Sequence, residues 1–173
     1  MAFDFRRVVT GHDEEGRAVV ALDETLSSEP RLEGYDAKVV WCTPAFPPSN
    51  DGFSVDDDAS GPWGGRVLFR VAEFEPGTFT AANMHRTETQ DIAIVVSGEL
   101  EMELDGGDRV ERLGPGDVVV QRGTMHSWAV RSGEPVRVLF VLMDAPPARV
   151  GERVLRQDVS VFDGKVFPMP PVD

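Results

Sequence analysis

The chain has 173 residues, with 17 Lys and Arg against 30 Asp and Glu for a formal net charge of −13. A chain this long buries about 70% of its unfolded surface, enough for one self-sufficient core. The acidity repels phosphate backbones and anionic headgroups, so nucleic-acid and membrane partners are not expected.

The longest apolar run, Val138 to Met143, falls far short of the roughly 20 residues a membrane span needs. Met1 to Arg7 lacks the apolar stretch of a secretory signal. The single Cys42 allows no internal disulfide and suits a reducing compartment, so a cytoplasmic protein is expected.

Gly (17) and Pro (13) fall between short β-branched runs, a pattern of strands joined by tight turns, and no helix of three clear turns is visible. In chain order the predicted strands are Arg6–Thr10, Arg17–Leu22, Ala37–Thr43, Arg66–Phe74 and Asp91–Ser97, then Glu99–Asp105, Arg109–Leu113, Asp117–Gln121, His126–Arg131 and Val136–Met143. In Glu99 to Leu104 the alternation is strict, which turns Leu100, Met102 and Leu104 to a core and the three glutamates to water. Asp105-Gly106-Gly107-Asp108 supplies the positive-φ residues of a hairpin. Many short strands in one small domain predict an all-β sandwich or barrel.

Four segments follow from this pattern: N-terminal strands over 1–43, an acidic Pro- and Gly-rich loop over 44–65, a barrel over 66–145 and an extended C-terminal arm over 146–173. The loop carries Phe46, Phe53 and Trp63, aromatic anchors for a candidate lid over a cavity mouth.

The chemistry concentrates around two of only three histidines, since His12 sits in a polar turn. His85 precedes the apolar strand Ile92 to Val96, and strand parity puts Asn83, His85 and Thr87 on one face, with Asp91 rejoining the cavity from the next strand. His126 follows the turn Arg122-Gly123-Thr124-Met125 and shares its face with Trp128, a hydrophobic wall for the same pocket.

These two segments resemble the paired motifs of the cupin superfamily. The first motif, G-x5-H-x-H-x3-E-x6-G, gives His85, Thr87, Asp91 and Gly98 with the inner spacings intact. The second gives Gly116, Gly123, His126 and Val130. A second alignment, starting at Gly77, would put Asn83 and His85 in the histidine positions, but the first keeps the Asp91 to Gly98 spacing.

The resemblance implies an antiparallel double-stranded β-helix, a jelly roll whose cavity holds both motifs. It also implies a divalent metal ion (Fe, Mn, Zn or Ni) on His85, Asp91 and His126, the two-histidine, one-carboxylate set that leaves open coordination positions. The same three residues are the candidate catalytic groups, with Asn83, Thr87 and Trp128 lining the substrate pocket.

The leading expectation is therefore a metal-dependent enzyme acting on a small organic substrate, of dioxygenase, decarboxylase, lyase or isomerase type. The alternatives are a metal-free enzyme using His85 and Asp91 for acid–base chemistry of cyclase, dehydratase or epimerase type, and a non-catalytic ligand-binding barrel. An open jelly roll leaves sheet edges, so a homodimer covering them through the N-terminal strands is expected.

Overall fold

The computed structural model describes residues 2–43, 46–50, 66–78 and 81–162. Short runs of alternating apolar residues between turns give thirteen strands among them. The first five are β1 (Asp4–His12), β2 (Ala18–Ser27), β3 (Glu29–Leu32), β4 (Tyr35–Thr43) and β5 (Val67–Phe74). Next come β6 (Thr89–Ser97), β7 (Leu100–Leu104), β8 (Arg109–Leu113) and β9 (Val118–Arg122). The chain continues with β10 (His126–Ala129), β11 (Val136–Asp144), β12 (Ala148–Val150) and β13 (Arg153–Leu155). Two 3-10 turns, Ala81–Asn83 and Ser160–Phe162, complete the described elements, so no described helix is long and apolar enough to cross a membrane.

The architecture is the all-β double-stranded β-helix. A six-stranded antiparallel sheet, in the order β3-β4-β5-β11-β6-β9, faces a three-stranded one, β10-β7-β8. The buried core lies between them: Ala72, Phe74, Val95, Val136 and Val138 from the larger sheet meet Leu100, Met102 and Trp128 from the smaller. Leu100, Val136 and Val138 are fully enclosed, and truncating a leucine in such a place to alanine costs about 2–5 kcal/mol.

The turn from β6 to β7 requires glycine. Gly98 has φ 79°, and a Cβ there would lie 2.6 Å from the Pro135 carbonyl oxygen. Leu100 and Met102 face the core as the alternation predicts, whereas Glu101 and Glu103 are only partly wet because Arg131 reaches across to bond both, at 2.7 and 2.6 Å.

The N-terminal segment forms strands, as its β-branched runs predict. The N-terminal residues form a hairpin, β1 with β2, whose base is anchored where Arg7 pairs with Glu24 and donates to the Val40 carbonyl at 2.9 Å. Arg137 stacks 4.2 Å over the Phe3 ring beside it.

The C-terminal segment is not an extended arm over its described length. β12 and β13 make a hairpin, and the chain then returns to the barrel, where Arg86 and Asp158 exchange two backbone bonds of 2.8 Å and the Gln157 amide donates to Glu88. This closure joins residues far apart in sequence, which local patterning cannot signal. Most of the acidic loop expected to form a lid lies outside the described residues, Phe53 and Trp63 included, and Phe46 is 71% exposed.

Candidate active site

His85 and His126 lie directly opposite each other in an isolated antiparallel bridge, joined by two backbone hydrogen bonds of 2.9 Å. Facing residues in such a pair project side chains to the same side, and the imidazole centroids are 4.3 Å apart. Each Nδ1 donates to a carbonyl two residues earlier, His85 to Asn83 at 2.9 Å and His126 to Thr124 at 3.0 Å. A carbonyl only accepts, so the proton sits on Nδ1 and each neutral ring keeps its lone pair on Nε2. Burial favours that neutral form: it pushes His85 down to about 3, helped by the neighbouring His126 and by Arg70, and it lowers His126 as well.

Asp91 reaches the same cavity from β6, where Thr89, Asp91, Ala93 and Val95 alternate as buried residues. Burial pushes its carboxyl up to about 6, against the hydrogen bond from Thr89 and the charge of Arg70, which both favour the carboxylate. Its Oδ1 is buried with no hydrogen-bond partner among the described residues. Thr87 and Thr89 share a 2.7 Å hydroxyl hydrogen bond, so residues 87, 89 and 91 form a polar ladder along one strand face. Opposite Asp91 in the sheet register, Gln121 donates from Nε2 to the Thr124 carbonyl at 3.1 Å and also bonds the Thr124 hydroxyl. That clamp fixes the turn whose carbonyl orients His126.

The cavity and the open solvent at its mouth together span about 430 Å³. Its polar lining is Arg70, His85, Thr87, Asp91 and His126; its apolar walls are Tyr35, Phe74, Trp128, Phe140, Leu142 and Phe162. The structure thus brings His85, Asp91, His126, Thr87 and Trp128 to one cavity.

Asn83, expected in the pocket, is not among its lining residues. It ends a 3-10 turn, which breaks the strand parity that would have aimed it inward, and its part is to offer a carbonyl to His85.

Arg70 escaped the sequence reading although a signal existed: it occupies an inward position of β5, in step with the buried Leu68, Ala72 and Phe74. Phe162 carried no local signal, because its place beside the cavity depends on the C-terminal return. Its ring stands edge-on to His85 with centroids 4.7 Å apart.

Two imidazole Nε2 atoms and an unpartnered carboxylate oxygen are suitable donor types for the expected metal ion. However, among the described residues no three His, Cys, Asp or Glu side chains come together closely enough to hold one ion. Asp91 lies on the same cavity wall without joining the histidine pair, and the guanidinium of Arg70 lies within electrostatic reach of both. Among the described residues, the three-residue ligand set expected from the sequence is not gathered around one point.

Residues 70–142 match the Cupin domain family. The chain is 35% identical over 163 residues to the cupin-domain-containing oxidoreductase srdB of Neurospora crassa, covering 89% of this chain and 81% of that protein. It is 32% identical over 150 residues to the cupin-domain-containing oxidoreductase fogC of Aspergillus ruber, covering 80% and 71%. Among solved structures, KdgF from Halomonas sp. aligns with a TM-score of 0.45 at 26% identity, over 66% of this chain and 85% of that one. The matched span runs from within β5 to within β11 and contains every polar residue of the cavity lining, and the chain belongs to the cupin superfamily.

Proposed function

We propose that this cupin is an enzyme that moves protons on a small organic molecule held in the barrel cavity, in a reaction of isomerase, dehydratase or cyclase type. One observation carries the reading: two buried imidazoles with their lone pairs on Nε2 share a cavity with a buried carboxyl that titrates near neutrality. A group that takes and returns a proton works best when its pKa lies near the working pH, and burial moves Asp91 toward that range while keeping both imidazoles neutral acceptors. The Asp91 carboxylate takes a proton from a C–H or O–H of the substrate at Oδ1 and returns it, an Nε2 accepts a hydrogen bond that orients the substrate, and the aromatic walls keep bulk water away from the exchange.

A second reading is favoured by the oxidoreductase names of the two relatives that span most of the chain. In it the same residues handle the proton of a redox step whose electrons belong to a carrier bound with the substrate.

The test is solvent-deuterium incorporation, followed by NMR, into a panel of small enolisable keto acids. The wild type is expected to accelerate exchange and Asp91→Asn to lose at least tenfold, with the fold retained by circular dichroism. Equal exchange in both proteins would refute the acid–base reading, and turnover that requires an added nicotinamide or flavin carrier would install the redox one.

A further inference from the structure

Arg70 is a cation at an inward-facing position of a β-strand, which a barrel would ordinarily fill with an apolar side chain. Its register partner across β11 is Phe140, and the guanidinium carbon lies 5.5 Å from the centre of that ring and 5.9 Å from that of Tyr35. The two rings hold the charge at the cavity by cation–π attraction. With both imidazoles neutral, Arg70 is the fixed positive charge among the described lining residues of a protein whose net charge is −13. Three of the other polar groups are of opposite character, since Nε2 of His85, Nε2 of His126 and Oδ1 of Asp91 accept hydrogen bonds, while the Thr87 hydroxyl is already bonded to Thr89. The cavity therefore asks for a hydroxyl donor for these acceptors, an anionic group for the guanidinium, and an apolar body against the aromatic wall of Phe74, Trp128 and Phe140.

We propose that the cavity takes a small planar carboxylate bearing a hydroxyl group, its carboxylate on the Arg70 guanidinium and its hydroxyl toward the His85, His126 and Asp91 acceptors. This substrate class rests on the acid–base reading above and adds a binding residue, Arg70, to it. The guanidinium fork matches two carboxylate oxygens at once, which a neutral amide of the same shape does not.

The test is calorimetric binding of three unreactive probes to the full chain: 4-hydroxybenzoate, its neutral isostere 4-hydroxybenzamide, and benzoate, which lacks the hydroxyl. A charge-assisted hydrogen bond at a partly buried site corresponds to roughly tenfold in affinity. The hydroxybenzoate is expected to bind the wild type at least tenfold more tightly than either other probe. Arg70→Gln should erase the preference over the amide, and Arg70→Lys should keep part of it.

An amide that binds as well as the carboxylate, no carboxylate binding at millimolar concentration, or a preference unchanged in Arg70→Gln would each overturn the proposal. So would benzoate binding as tightly as hydroxybenzoate. The wild-type comparison stands even if Arg70→Gln fails to fold. These probes are not turned over, so loss of carboxylate preference and loss of deuterium exchange are independent results, and failure of one reading is distinguishable from failure of the other.

Discussion

The Phe162 ring packs edge-on against the His85 imidazole with 4.7 Å between centroids, although 77 positions of sequence separate the two residues. Phe162 is 3% exposed, so it helps remove the water that would otherwise stabilise an imidazolium. Phe162→Ala is expected to raise the His85 pKa from about 3 by at least one unit toward its ordinary 6.5. The readout is an NMR titration of the His85 ring protons. An unmoved titration would mean that the C-terminal segment does not shield the site.

Asp91 sets a stability prediction of opposite sign to that of the histidines. Its native carboxyl titrates near 6 against an ordinary 3.8, so the folded state holds the proton more tightly than the unfolded one, and ionising it costs stability as pH rises through that window. Two pKa units correspond to about 3 kcal/mol at most, and Asp91→Asn is expected to stabilise the protein at pH 8 by on the order of 2 kcal/mol. The gain should vanish below pH 4, where the carboxyl is protonated in both states. Urea unfolding at the two pH values measures this, and a destabilised Asp91→Asn at pH 8 would contradict it. The histidine pair works the other way: both pKa values are lowered, so their contribution is present above about 6.5 and is lost as pH falls toward 3.

Metal content separates the acid–base reading from the ligand set suggested by motif resemblance. Protein purified without a histidine tag or chelator is expected to carry well under one equivalent of divalent metal, with the same content in His85→Ala and His126→Ala. The physical reason is that Asp91 does not join the histidine pair and Arg70 places a positive charge at the cavity. Stoichiometric metal by plasma mass spectrometry, lost from either variant, would restore His85, Asp91 and His126 as ligands.

The β1–β2 hairpin underlies the expectation of a homodimer. Its base is anchored through Phe3, Arg7 and Leu26, whereas farther along it Val8 and Val20 are exposed, Val20 by 61%. A two-stranded ribbon with exposed valines gains from a partner surface. Light scattering at tens of micromolar is expected to give twice the chain mass, and Val8→Lys with Val20→Lys to give a monomer. A wild-type monomer would refute the idea.

Much of this protein was legible from the sequence because strands carry their instructions locally. Period-two alternation in Glu99 to Leu104, the turn at Asp105 to Asp108 and the spacing of His85, Asp91 and Gly98 each depend on neighbours a few residues apart, and those neighbours decide which face a side chain takes. That was enough to predict an all-β sandwich or barrel, and the resemblance of its motifs to those of cupins implied the jelly roll and marked His85, Asp91, His126, Thr87 and Trp128, which the fold gathers at one cavity.

What only the tertiary structure decided is how those groups stand to one another. Strand parity says that Asp91 faces inward, but the cross-sheet register determines that it feels Arg70 and accepts from Thr89 without joining the histidine pair. Parity failed at Asn83 because a 3-10 turn interrupts the strand there. Arg70 and Phe162 reach the site from β5 and from the C-terminal return, through pairings with β11 and with Arg86 that no local window contains. A cavity is made of contacts between segments distant in sequence, and its electrostatics depend on distances across it, so the sequence names the residues while the packing assigns their charges, partners and exposure.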